Sequence, residues 1–107
     1  MDKAVLLKGF LPERDVELPS GIGTVRVRGL SRQEAVRVTD DDPSVMERRA
    51  LAAGMLDPQL TEDEVEQWRG VAVAADVQAV AQAISEISNM DDKGGKGPTS
   101  PSKRTRR

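Results

Sequence analysis

The chain has no cysteine and no histidine among its 107 residues, and Phe10 and Trp68 are its only aromatic side chains. Without thiols there is no disulfide to staple a small fold and no thiolate nucleophile. Without imidazole, the side chain that ordinarily changes charge near neutral pH is missing, and so is histidine activation of a serine. The same two absences remove the usual donors of a zinc site, and no cofactor is expected. Long apolar runs are lacking as well: nothing approaches the roughly 20 consecutive apolar residues of a membrane span. Ala4-Val5-Leu6-Leu7 is too short for the core of a signal peptide, so the chain is expected to stay in a cytoplasm.

Charge, by contrast, is plentiful. Charged residues make up 32% of the sequence and hydrophobic ones 37%, so a core must be assembled mostly from Val, Ala, Leu and Ile. Such a core is thin, because a domain of this size buries a smaller share of its surface than a large one; oligomerisation or a bound partner would relieve that weakness. The net charge of -2 is unevenly divided. Residues 1–90 carry 10 Lys and Arg against 16 Asp and Glu, whereas residues 91–107 carry 6 against 2. An acidic body, read as one domain over 1–90, therefore bears a basic tail at 91–107.

The first regular pattern is Asp15-Val16-Glu17-Leu18, followed by Pro19-Ser20-Gly21-Ile22-Gly23 and Thr24-Val25-Arg26-Val27-Arg28. Val16 and Leu18 fall on one face of the first segment and Val25 and Val27 on one face of the second, with Glu17, Arg26 and Arg28 opposite. A period of two on both sides of a Pro/Gly cluster predicts a β-hairpin, with a turn longer than two residues and a bulge where Ile22 falls out of phase with Val25. A lone hairpin is marginal in water, so its apolar face needs cover. The segment Val5–Leu11 is the candidate third strand of a small meander.

Helical signals follow. Ser31-Arg32-Gln33-Glu34 is a capping box, predicting a helix that fades near Val38 to Asp40. Asp42-Pro43 restarts the chain, with aspartate as cap and proline at the first helical position, and Gly54 is a terminator. Thr61 and Glu64 form a second capping box, flanked at the hydrophobic-staple positions by Leu60 and Val65 and enriched in first-turn acid by Glu62 and Asp63. Trp68 lies on this helix and Gly70 is placed to end it. A last helix from about Asp76 to Ser88 carries Val77, Val80, Ala81, Ile84 and Ile87 on one stripe. Beyond Met90 the sequence is polar, rich in breakers and without apolar period, and is expected to be disordered. The fold class is therefore α+β: an N-terminal hairpin or small meander, three to four short helices, and a disordered basic tail.

No constellation in this order points to catalysis. Asp40-Asp41-Asp42 and Glu62-Asp63-Glu64 both sit where loop and capping chemistry explains them. Gly21 and Gly23 precede a strand, not the helix that a phosphate loop requires, and Lys93-Gly94-Gly95-Lys96-Gly97 leads into proline. Lys103, Arg104, Arg106 and Arg107 could neutralise phosphates without sequence specificity, but the acidic body and the shortage of aromatics for base stacking argue against nucleic acid as the main partner. The apolar stripe Val77, Val80, Ile84 and Ile87, with Trp68, is the candidate partner-binding face; its alternative is simple core.

Taken together, Val16-Glu17-Leu18-Pro19, then Gly23-Thr24-Val25-Arg26-Val27-Arg28-Gly29-Leu30-Ser31, then Leu56-Asp57-Pro58-Gln59-Leu60-Thr61-Glu62-Asp63-Glu64-Val65-Glu66-Gln67-Trp68 resemble the small tail assembly chaperones of long-tailed bacteriophages. The resemblance spans about residues 14–90 and is one of pattern, in a family without a catalytic signature. It implies a non-enzymatic factor of the host cytoplasm. Such a factor binds the long, helical, aggregation-prone tape measure protein during tail assembly, with the tail-tube protein as a second candidate partner. It also implies a longer product of programmed ribosomal frameshifting, for which Lys93 to Gly97 is a candidate position. The other roles left open are a minor virion component, such as a head-tail connector, and a small nucleic-acid-binding regulator.

Overall fold

The structure is a computed structural model that describes residues 1–89. The tail expected to be disordered lies outside the described residues. The elements are α1 (Lys3–Lys8), β1 (Glu13–Glu17), β2 (Thr24–Arg28), α2 (Arg32–Val38), α3 (Pro43–Gly54), β3 (Met55–Asp57), α4 (Glu62–Val71) and α5 (Ala74–Ile87). The architecture is the α+β arrangement expected, with a three-stranded antiparallel sheet in the order β1-β2-β3.

The hairpin forms because two short segments alternate valine with charge. Val16 faces Val25, and Glu17 faces Thr24, in an uninterrupted register. Val16, Leu18, Val25 and Val27 are buried, while Glu13, Asp15, Glu17, Thr24 and Arg26 stay exposed on the outer face. There Arg26 donates to Glu13 and Asp15. Exposed pairs of this kind contribute little to stability, so the inner valines decide the fold of the hairpin. In the turn, Gly21 N–H donates to Leu18 O at 2.8 Å and Leu18 N–H to Gly23 O at 2.9 Å, and Gly21 takes φ 85°, which a side chain would strain. The bulge expected at the turn is absent. The register shift lies instead between β2 and β3, where Arg26 pairs with Asp57 and Val27 with Met55.

The third strand is not Val5–Leu11. Asp2 accepts from Ala4 N–H and caps α1, helix-forming Ala, Leu and Lys follow, and Gly9 ends the turn at φ 74°. None of the six residues of α1 is buried. β3 comes from directly after α3 and is only three residues long, two of them paired, so no alternation could have marked it.

Both capping boxes and the Asp42 cap form as the sequence requires. The first box has a further consequence. Glu34, besides accepting from Ser31 N–H at 3.0 Å, takes a two-pronged contact from Arg28 at 2.8 and 2.6 Å, tying α2 to the end of β2. The guanidinium of Arg28 holds the Glu34 carboxyl down at about 2, and its ordinary value is 4.5. Arg69 of α4 reaches back to donate to Ser44 O at 2.9 Å, at the start of α3.

The core lies between the sheet's inner face and the helices. Val27, Leu51, Val65 and Val80 are each 0% exposed and Ile84 is 1% exposed. Burying an aliphatic side chain of this size contributes about 1.5–3 kcal/mol. Val77 and Ala83 are buried beside them, and Ile87 is half-buried against the same cluster. The α5 stripe is thus the spine of the core. Gly54, at the end of α3, lets that helix approach α5: a Cβ there would stand 2.7 Å from Ile84 Cδ1 and 3.0 Å from two more of its carbons. α3 ends at Gly54 as expected, but its φ is not left-handed, so what its lack of a side chain provides is close approach.

Two outcomes are expected. Gly54→Ala should lower stability in urea by about 1–3 kcal/mol, because buried Ile84 would have to shift to admit the added methyl. Unfolding midpoints of the two proteins decide it, and an unchanged midpoint counts against the close packing. The second concerns pH. A carboxyl whose folded value is depressed contributes stability that is complete above its unfolded value and lost as pH falls through the folded one. Glu34 should therefore add an acid-labile component between about pH 4.5 and about pH 2. Glu34→Gln should be less stable at neutral pH and should show a flatter profile across that interval.

Candidate functional site

With the α5 stripe inside, a candidate partner face has to be sought elsewhere among the described residues. The chain leaves β3 at Asp57, turns at Pro58, and enters α4 through the Thr61 capping box. This lays α4 alongside the turn end of the hairpin without closing the gap between them. The result is an open groove of about 620 Å³, with Leu18, Ile22 and Val25 on the hairpin side and Leu60, Trp68 and Val71 on the other. Ile22 is 76% and Val71 86% exposed, so the rim is solvent-facing apolar surface and not a gap in the core. A groove of this size and lining is of the kind that takes a ligand or a segment of another chain.

Polar groups are few and definite. Glu64 is the one ionisable residue that lines the groove, and Gln67 stands near it. The hydrogen-bonded rungs of the hairpin are set by Leu18 N–H to Gly23 O and by Gly29 N–H to Pro12 O at 2.7 Å. Alternation between these rungs turns the main chain of Thr24, Arg26 and Arg28 toward β3. β3 ends opposite Arg26, so Thr24 meets no strand partner there and its backbone opens onto the groove.

The hairpin wall of the groove is held by a contact across the fold. Asp76, in the first turn of α5 and only 1% exposed, accepts from Ser20 N–H at 2.9 Å and from Ser20 Oγ at 2.6 Å. The carboxylate also lies at the positive end of a helix whose cap residue, Val73, offers no side-chain hydrogen bond. Buried charge is tolerated here because both oxygens are engaged. Ile22 sits two residues beyond Ser20, so this contact sets where the rim of the groove stands.

Of the five candidate partner-binding residues, only Trp68 is on the groove. Val77, Val80 and Ile84 are buried in the core and Ile87 packs against it. Their spacing identified an apolar face correctly but could not say what covers it, and the sheet does. Ile22 and Val71 were not singled out, because one lies in a turn and the other at a helix end, where apolar period carries no information. The acidic runs behave as capping chemistry: Asp42 accepts from Ser44 N–H, Asp40 accepts from Asp42 N–H, and Thr61 and Glu64 exchange their capping bonds. Among the described residues no group of three or more carboxylates is placed to hold a metal ion, and no helix is long and apolar enough to cross a membrane.

Comparison of the chain with protein-family models, curated proteins and solved structures gives no match.

Replacing Asp76 with Ala should cost about 1–3 kcal/mol, the range for removing a charged partner from part-buried donors. Trp68 fluorescence should shift as well, because the turn that carries Ile22 is released. A stability loss with an unchanged Trp68 spectrum would separate the fold from the groove and refute the positioning role.

Proposed function

We propose that the protein is a non-enzymatic tail assembly chaperone that shields apolar helical segments of a phage tape measure protein in the host cytoplasm while the tail tube forms around it. The observation that carries this reading is the open apolar groove at Trp68, on a body rich in acidic residues. A client segment would seat apolar side chains against Ile22, Leu60, Trp68 and Val71. The acidic body keeps the resulting complex soluble by repulsion between complexes. The resemblance of the hairpin and of Leu56–Trp68 to such chaperones supports the same reading. Contact with the tail-tube protein, and a longer frameshifted product that continues from the tail, belong to the proposal on the strength of that resemblance alone.

Partner binding by exposed residues has a direct test. Ile22→Asp and Val71→Asp change side chains that contribute little to the core, so both variants should keep wild-type circular dichroism. Co-expressed with the tape measure protein, each should leave several-fold less of it in the soluble fraction. Full solubilisation by the doubly substituted protein would rule out the groove as the client site. Val80→Asp should instead unfold the chain, since it places a charge at a position that is 0% exposed.

A further inference from the structure

The groove holds one charged residue and, among the described residues, no Lys or Arg lines it to neutralise that charge. Glu64 Oε1 accepts from Thr61 N–H at 2.9 Å in the capping box, and among the described residues Oε2 has no hydrogen bond or ion pair. The box therefore fixes where this carboxylate stands and leaves half of it open to a second donor.

Trp68 stands one turn further along α4. Glu64, Gln67, Trp68 and Val71 are spaced i, i+3, i+4 and i+7, which puts them on one face of the helix, and all four line the groove. A carboxylate one helical turn from an indole suits a flat cation. The face of an arginine guanidinium stacks on the indole while its edge N–H groups donate to the carboxylate. We propose that the groove takes a partner segment whose apolar side chains flank a single arginine, and that Glu64 and Trp68 are the residues that select it.

Charge identifies the occupant. Residues 1–90 carry 16 acids against 10 bases, so a cationic segment is drawn toward the body and an acidic one repelled. Main-chain pairing offers little, because at the groove end of β2 only Thr24 turns its backbone to the open side, a single rung. Recognition therefore falls to side chains. An apolar segment without a cation would cover Glu64 and strip its water without compensation, so the carboxylate excludes wrong partners as well as attracting right ones. Residues 91–107 of this chain do not qualify: they hold Lys and Arg but no Val, Leu, Ile, Met or aromatic residue to fill the groove.

This inference rests on the reading of the groove as a docking site for a partner, but its test needs no phage protein. Trp68 is the chain's only tryptophan, so its emission reports on the groove directly. The probes are two synthetic helical peptides of Ala, Leu and Gln, identical except at one central position, which is Arg in one and Gln in the other. The full chain should bind the Arg peptide roughly three- to tenfold more tightly, a preference that shrinks as salt is raised. Glu64→Gln should erase the preference. Glutamine completes a capping box as glutamate does, so this variant should retain wild-type circular dichroism.

Equal affinity for the two peptides overturns the proposal, as does a preference that survives Glu64→Gln. Binding of neither peptide overturns it together with the groove as a docking site. Affinity that falls as protein concentration rises places a second copy in the groove and also overturns it. The chaperone reading fails separately: an Arg preference lost in Glu64→Gln, alongside a tape measure protein that Ile22→Asp still keeps soluble, would leave this proposal standing and assign the groove to another client.

Discussion

The seating of α5 across the hairpin is the constraint on which the rest of the structure depends. At one end Ser20 donates twice to buried Asp76. At the other, Leu30 N–H donates to Ser88 Oγ at 2.7 Å, and Arg14 pairs with Glu86 at 2.8 Å. Between them, Val77, Val80 and Ile84 join Val16, Leu18, Val25 and Val27 in one cluster. Gly29 permits the far end to close, since a Cβ there would lie 2.9 Å from Ile87 O. The energetic division follows from magnitudes. Each buried aliphatic side chain contributes about 1.5–3 kcal/mol, against about 1 kcal/mol net for an ordinary hydrogen bond. The stripe therefore drives the association, and the polar fastenings select its register and direction.

Other elements take their places from that pair. α3 meets α5 where Gly54 faces Ile84, and the chain passes at once into β3, which can then pair only with β2. Two paired residues are enough because the sheet edge they meet has already been fixed by the helix above it. α4 follows within a few residues, oriented by its capping box and by Arg69 reaching back to α3. The groove is what remains between an α4 oriented from one side and a hairpin turn fixed from the other by Asp76. Its width is a consequence of two independent anchors, and among the described residues none fills it.

Local chemistry was legible in the sequence, and long-range chemistry was not. The valine alternation, the Ser31–Glu34 and Thr61–Glu64 boxes and Asp42-Pro43 each specify an element within a few residues, and each element stands where they put it. β3 has no pattern of its own, and over a run as short as Val5–Leu11 apolar residues fit a strand or a helix equally well. Ser20 and Asp76 are 56 residues apart, and nothing in the order of residues pairs them. Trp68 was found by type. Ile22 and Val71 could be recognised only once the fold showed that neither is covered.

The displacement of the candidate face from α5 to the groove has a physical basis that bears on function. A chain with two aromatics and a Val- and Ala-rich core has no apolar stripe to spare, so the most regular one is taken up by folding. Surface left over for a partner must then come from residues that folding does not use, at turns and helix ends, where packing leaves side chains partly or wholly in water. Such positions carry little stability, and charge placed there is tolerated by the fold. On the proposed reading, binding and folding are thereby separated in this chain: substitutions at the rim of the groove would change which apolar segment suits it without touching the core.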